Sequence, residues 1–373
     1  MEEEYMVTIQ NFKMHQEQLM YSNYSSIKVA DMNQQIPTVI YILVLIITGV
    51  IGNSTALFIF TKFYKESTYR VFVRSLSFVD LMVCMTHMPL EIMYLLKLSW
   101  FYNEAACKTY RYFDYCLNYL SIVLIVLIAI ERYLKICKPL SKWQISAKLS
   151  NKLSVLGILI AAVAALPRIF TNGNHVIVVE NVTLIACGVD HEDQYETVSF
   201  VIYFSIVGLM YVSVTVFLTF AYSSIIKTIF QRQNNLFRGQ PSKHLSTIVT
   251  NIRRSSDQNN EQETSFDQEI IQAKRASVRT TKTLFIITVT FVLAHMPFVI
   301  MSFVVGLDSS ISANLKNPKL SLYQIGMRLY MVNNVINPIV YGLTDTRFQR
   351  AGRYIYQNCN CKKGIVHANS SIS

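Results

Sequence analysis

Residues 107–136 read CKTYRYFDYCLNYLSIVLIVLIAIERYLKI, and this stretch decides the fold. From Leu120 to Ile130 it carries no charge, and Ser121 is its only polar side chain. A helix needs about 20 mostly apolar residues to cross the roughly 30 Å hydrocarbon core of a bilayer, and the whole stretch is long enough. Asp114, Asn118, Ser121, Ile125, Ile128 and Arg132 follow one another at steps of four, three, four, three and four, so they share one face of that helix. A rise of about 1.5 Å per residue spaces Asp114 and Arg132 roughly 27 Å apart. A charge near each end of one buried stripe suits transmission of a signal better than bond chemistry.

Six further runs of bilayer-spanning length flank it, approximately Pro37–Thr61, Val71–Leu96, Leu153–Phe170, Val198–Ile229, Thr283–Leu307 and Leu320–Leu343. The chain therefore reads as an all-α membrane protein, a seven-transmembrane helix bundle over residues 37–344. Lys62, Lys65 and Arg70 follow the first run, Lys135 to Lys152 the third, Lys274 to Lys282 precede the sixth, and Arg347, Arg350 and Arg353 follow the seventh. Positive charge in alternate short loops orients the bundle with its N-terminus outside and C-terminus inside. Residues 1–36 have no apolar signal segment and read as an extracellular tail. Residues 231–272 are polar and read as a disordered cytoplasmic loop; 345–373 read as a short amphipathic helix, Thr346 to Tyr356, and tail.

Composition agrees. Of 373 residues, 52% are hydrophobic and 15% charged, where a soluble domain has about a quarter charged. The net charge of +11 sits in membrane-flanking loops, which points to a lipid bilayer and not to nucleic acid. Seven cysteines without paired CxxC spacing give metal or thiol catalysis no support.

Ionisable residues inside a span are costly and mark function. Asp80 lies mid-span, with Ser121, Asn333, Asn334 and Asn337 at comparable depth. A carboxylate among oxygen donors fits a small hard cation, and equally a hydrogen-bonded polar knot.

Several motifs stand in order along the runs: Gly52-Asn53, Ser77-Phe78-Val79-Asp80-Leu81, Glu131-Arg132-Tyr133 with Leu140 beyond it, Tyr222, Phe291 with Pro297, and Asn337-Pro338-Ile339-Val340-Tyr341 followed by Phe348. On these residues the chain resembles the rhodopsin-like G-protein-coupled receptors, over about Pro37 to Tyr356. The resemblance implies that Glu131 restrains Arg132, which meets the G protein together with Tyr222 and Tyr341 once the sixth helix moves. It implies a sodium site at Asp80, Ser121, Asn333, Asn334 and Asn337, and no other cofactor. It implies a disulfide between Cys107 and Cys187. The family setting also implies a plasma-membrane location, an extracellular ligand, a heterotrimeric G protein, arrestin and receptor kinases as partners, and no enzymatic activity.

The sequence departs from the family pattern at His295, Gly157 and Val214, which stand where a tryptophan, a tryptophan and a proline are usual. Ser277 stands where many relatives carry an acidic partner for the arginine, so restraint of Arg132 falls mainly to Glu131. Met331 excludes a retinal lysine at its position, and the stretch from Ile206 to Met210 lacks the serines of catecholamine receptors. An acidic loop, Asp190, Glu192, Asp193 and Glu196, together with Glu91 favours a basic neuropeptide; the alternatives are a biogenic amine held by Asp114, and a small transporter or channel. Candidate ligand contacts are Asp114, Glu91, His87, Arg111, Tyr115, Asn118, His295, Phe298, Tyr323 and Met327, with Arg111 a candidate internal partner for Asp114. Asn23 and Asn181 head glycosylation sequons, and Cys359 and Cys361 are palmitoylation candidates.

Overall fold

The computed structural model describes residues 33–96, 103–179, 182–188, 194–237, 282–283, 285–305, 315 and 318–370. The sequons at Asn23 and Asn181, the acidic residues Asp190, Glu192 and Asp193, and Ser277 lie outside the described residues, as do the side chains of Glu196, Cys359 and Cys361.

Helix α1, Asn33–Lys62, leads into α2, Thr68–Leu95. A single side chain closes the corner between them: Arg70 donates from Nε to the Phe60 carbonyl (2.9 Å) and from Nη2 to the Thr61 carbonyl (2.9 Å), satisfying two of the carbonyls a helix end leaves open. Ser67 caps α2 by accepting from the Arg70 backbone N–H. Within α2, Val83–His87 forms a π-helical turn. The added residue rotates everything beyond it by about 100° relative to a regular helix, so His87 and Glu91 point differently from what the spacing to Asp80 predicts.

Helix α3, Glu104–Cys137, begins at the Asn103 cap and packs on α2, α4 and α5. Helix α4, Ala147–Ala165, is capped by Ser146 and followed by the single turn Pro167–Thr171. Gly157 lets α4 approach closely, because a Cβ there would meet Val123 of α3 at 3.0 Å. The residue that replaces the usual tryptophan thus serves helix contact. Strands β1, Gly173–Val179, and β2, Val182–Gly188, pair antiparallel. This hairpin, which helical periodicity did not foresee, lies against α3 at its Cys107 end.

Helix α5, Gln194–Phe237, runs without a proline and takes in the first seven residues of the segment read as a loop from Gln231. Helix α6 spans Phe285–Val305. Helix α7 comes in three pieces, Lys319–Met327, a 3-10 turn Leu329–Val332, and Asn333–Thr344 with Pro338 inside. Six described helices are individually long and apolar enough to cross a membrane, and the break at Arg328 is why α7 does not count as one uninterrupted span. Helix α8, Thr346–Ser370, extends past Tyr356. Asp345 starts it, accepting from the Arg347 and Phe348 N–H groups with one oxygen and from Tyr64 with the other (2.8 Å). Burial, then the adjacent Asp345 carboxylate, push the Tyr64 hydroxyl well above its ordinary pKa.

The bundle is apolar outside as well as inside. Leu159, Val163, Leu209 and Val216 are each at least 60% exposed, as expected where lipid is the solvent. The core runs from Tyr119 and Leu124 through Ile125, Ile128 and Phe291 to Tyr341 and Phe348.

Candidate functional site

Buried polar residues gather in three layers along the bundle. The first lies at the end carrying the hairpin, where Cys107 is bonded to Cys187. There Glu91 of α2 is held by Arg328 in the break of α7, through Nε (2.9 Å) and Nη2 (2.6 Å) to the same carboxylate oxygen. Its other oxygen accepts from the Tyr110 hydroxyl of α3. Arg328 also donates to Gln324. Both charged residues are under a tenth exposed, so each needs the other: a lone buried charge would be far costlier than the pair.

One turn deeper, Asp114 is equally buried. Its carboxylate accepts from Asn118 Nδ2 (2.8 Å) and lies 3.2 Å from His87 Nδ1. Arg111, the candidate internal partner, lies 4.0 Å from Glu91 and stacks on the rings of Tyr94 and Tyr110. The reason is reach across the bundle: His87, turned by the π-helical segment, occupies the space in front of Asp114. His87 also meets the Tyr330 hydroxyl at 3.2 Å through Nε2. Tyr330 in turn packs against His295 (5.9 Å) and Phe298 (5.2 Å) of α6. His295 shares a hydrogen bond between Nδ1 and the Phe291 carbonyl (3.0 Å), so it sits as a hydrogen-bonded core histidine. Tyr115 lies under the Arg168 guanidinium, which also covers Tyr203. Tyr323 and Met327 are half-buried on α7.

The second layer is centred on Asp80, fully buried, whose Oδ2 accepts from Asn337 Nδ2 (2.7 Å). Asp80 Oδ1, Ser77 Oγ, Ser121 Oγ and the side-chain oxygens of Asn333, Asn334 and Asn337 are buried without a protein partner. Buried oxygens are almost always satisfied, and a buried carboxylate with unpartnered oxygens on neighbouring helices is the kind of set that could hold a hydrated hard cation. Asn53 secures the layer by donating to the Asn334 carbonyl (2.8 Å).

The third layer lies at the opposite end. Arg132 Nε lies 2.6 Å from Glu131, which Lys135 also contacts. The Arg132 guanidinium lies over the Tyr69 ring. Tyr222 packs on Phe285, Tyr341 on Phe60 and Phe348, and Tyr133 near Phe220. Leu140 stands 78% exposed beyond α3. Pro297 lies inside α6, between His295 and Phe298, and Pro338 lies inside the Asn333–Thr344 piece of α7, and both helices continue through them.

Sequence reasoning missed Arg328, Tyr330, Tyr110 and Arg168. Arg328 had a signal, since it is a charge inside an apolar run. The tyrosines had none, being compatible with ordinary core positions.

The chain is similar to the thyrotropin-releasing hormone receptor of Gallus gallus, 25% identical over 91% of this chain and 83% of the relative. It is also similar to neurotensin receptor type 1 of Mus musculus, 23% identical over 84% and 74%, and to trace amine-associated receptor 7d of Rattus norvegicus, 22% identical over 84% and 79%. The family model "7 transmembrane receptor (rhodopsin family)" matches residues 52–341. With the three layers standing on the helices that carry them, the match establishes that this chain belongs to the rhodopsin family of seven-transmembrane receptors.

Proposed function

We propose that this protein is a plasma-membrane receptor for an extracellular peptide, with the hairpin end outside, that promotes nucleotide exchange on a heterotrimeric G protein at the Arg132 end. The observation that carries the reading is the continuous contact from Asp114 through His87 and Tyr330 to His295. A ligand group that takes Asp114 from His87 changes what holds Tyr330, and so the packing against α6. Two of the relatives named above are by name receptors for thyrotropin-releasing hormone and for neurotensin, and we read this as favouring a peptide over an amine. The buried Glu91–Arg328 pair and the three arginines of the first layer favour a ligand larger and more polar than a simple amine. A basic group of the peptide is assigned to Asp114, and a sodium ion of the resting state to the Asp80 layer.

Flux through the bundle fits less well. Ile125 and Ile128 fill the inner stripe of α3 at 5% exposure or less, which leaves no polar lining there for a water path. The test is a calcium or cAMP response of transfected cells to pools of short synthetic peptides, lost in Arg132→Ala with surface expression kept. Substrate flux without a second-messenger response sinks the receptor reading.

A further inference from the structure

The charged residues of the first layer are unequally partnered. Arg328 binds Glu91 with two nitrogens and Gln324 with a third. Glu91 receives Tyr110 as well, Asp114 has His87 and Asn118, and Arg168 donates to Thr171 and Asn172. Arg111 differs. Its Cζ lies 4.6 Å from the Tyr94 ring centre and 5.1 Å from that of Tyr110, so aromatic rings cover the guanidinium. Its side chain is only 16% exposed, yet the nearest carboxylate oxygen is 4.0 Å away and already accepts from Tyr110. Its Nε is buried without a hydrogen-bond partner, and none of its N–H groups hydrogen-bonds to a described residue.

A guanidinium held by its faces, with its donating edge free of hydrogen bonds to the described residues, is arranged for a planar acceptor with two oxygens. Leaving buried donors unmatched is costly, and more so for a charged group. Glu91 does not fill the need, because Arg328 and Tyr110 occupy it. Arg111 is three residues from Asp114 and one turn from the disulfide-bonded Cys107 on α3. The two side chains are therefore stacked roughly 5 Å apart along the helix.

We infer that Arg111 is the subsite for a carboxylate of the ligand, which makes the ligand bipolar: an acidic group at Arg111 and a basic group one turn deeper at Asp114. This deepens the peptide-receptor reading and rests on it. The carboxylate comes either from the peptide's carboxyl terminus or from an Asp or Glu side chain.

The test uses short synthetic peptide pools on cells carrying the full-length receptor and a calcium reporter. Active peptides are remade with the carboxyl terminus amidated, or with each acidic side chain changed to its amide, and assayed on wild type, Arg111→Gln and Arg111→Lys with surface expression measured. One neutralisation should lower potency at least about 30-fold on wild type and have almost no effect on Arg111→Gln. Which analogue it is distinguishes the terminus from a side chain. Arg111→Lys keeps the charge without the two-pronged edge, so it should retain part of the discrimination and serves if Arg111→Gln fails to reach the surface. The inference is overturned if every neutralised analogue stays fully potent on wild type, or if the loss is the same on the Arg111 variants. Absence of any Arg132-dependent response to every pool instead removes the receptor reading, and this inference with it.

Discussion

His87 Nδ1 lies 3.2 Å from Asp114 Oδ1, with the two side chains 2% and 6% exposed. Nothing along the chain links these residues, which belong to α2 and α3 and meet because the π-helical turn ends at His87. The carboxylate expected to anchor a ligand cation thus already has a partner, so a cation binding there would have to exchange with it.

Asp114→Asn should therefore cost agonist binding about 2–5 kcal/mol, roughly 30- to several-thousand-fold in affinity, because the buried carboxylate expected to pair with the ligand's cation loses its charge. His87→Gln keeps a hydrogen-bonding group near Tyr330 and should alter efficacy more than affinity. Radioligand displacement and a second-messenger dose response on the same cells separate the two effects. Equal affinity in wild type and Asp114→Asn would remove Asp114 as the anchor.

The Glu91–Arg328 pair predicts an asymmetry in stability. Glu91→Gln leaves Arg328 buried without a counter-charge and should cost about 3–5 kcal/mol, whereas Glu91→Leu with Arg328→Met together should recover most of it. Thermal inactivation of the detergent-solubilised receptor reads this out; a double variant no more stable than the single one argues against the pair as drawn.

Sodium should oppose agonist. If a hydrated cation completes the unpartnered oxygens around Asp80, replacing potassium by sodium at constant ionic strength lowers agonist affinity, since each ligand favours a different state. Asp80→Asn should flatten the dependence. A wild type indifferent to sodium would mean that the layer is a polar knot alone.

Changing Cys107 or Cys187 to Ser removes the bond that ties the hairpin to α3. Loss of a native extracellular disulfide typically costs about 2–5 kcal/mol, so surface expression or ligand binding should fall in both variants alike.

Close helix approach gives a further handle at Gly49, where a Cβ would collide with Cys84 Sγ and lie 3.1 Å from Val335. Gly49→Ala should destabilise by about 1–3 kcal/mol through overpacking. Adding Cys84→Ala removes the nearer atom and should restore part of the stability; no difference between single and double variants would show that the helices yield instead.

The sequence by itself determined the number of spans, the stripe from Asp114 to Arg132 and the burial of Asp80, because bilayer length and helical period are properties of one segment read alone. The resemblance of its motifs also implied the bond between Cys107 and Cys187, which the structure contains. Only the tertiary structure decided which charges meet. Glu91 and Arg328 are 237 residues apart in the chain, and Asp114 turned out to face His87 and not Arg111. Such pairings depend on the rotation and depth of each helix. A π-helical turn in α2, a break at Arg328 in α7 and close approaches at Gly49 and Gly157 set these, and hydrophobic periodicity, which records only which face is apolar, carries none of that information.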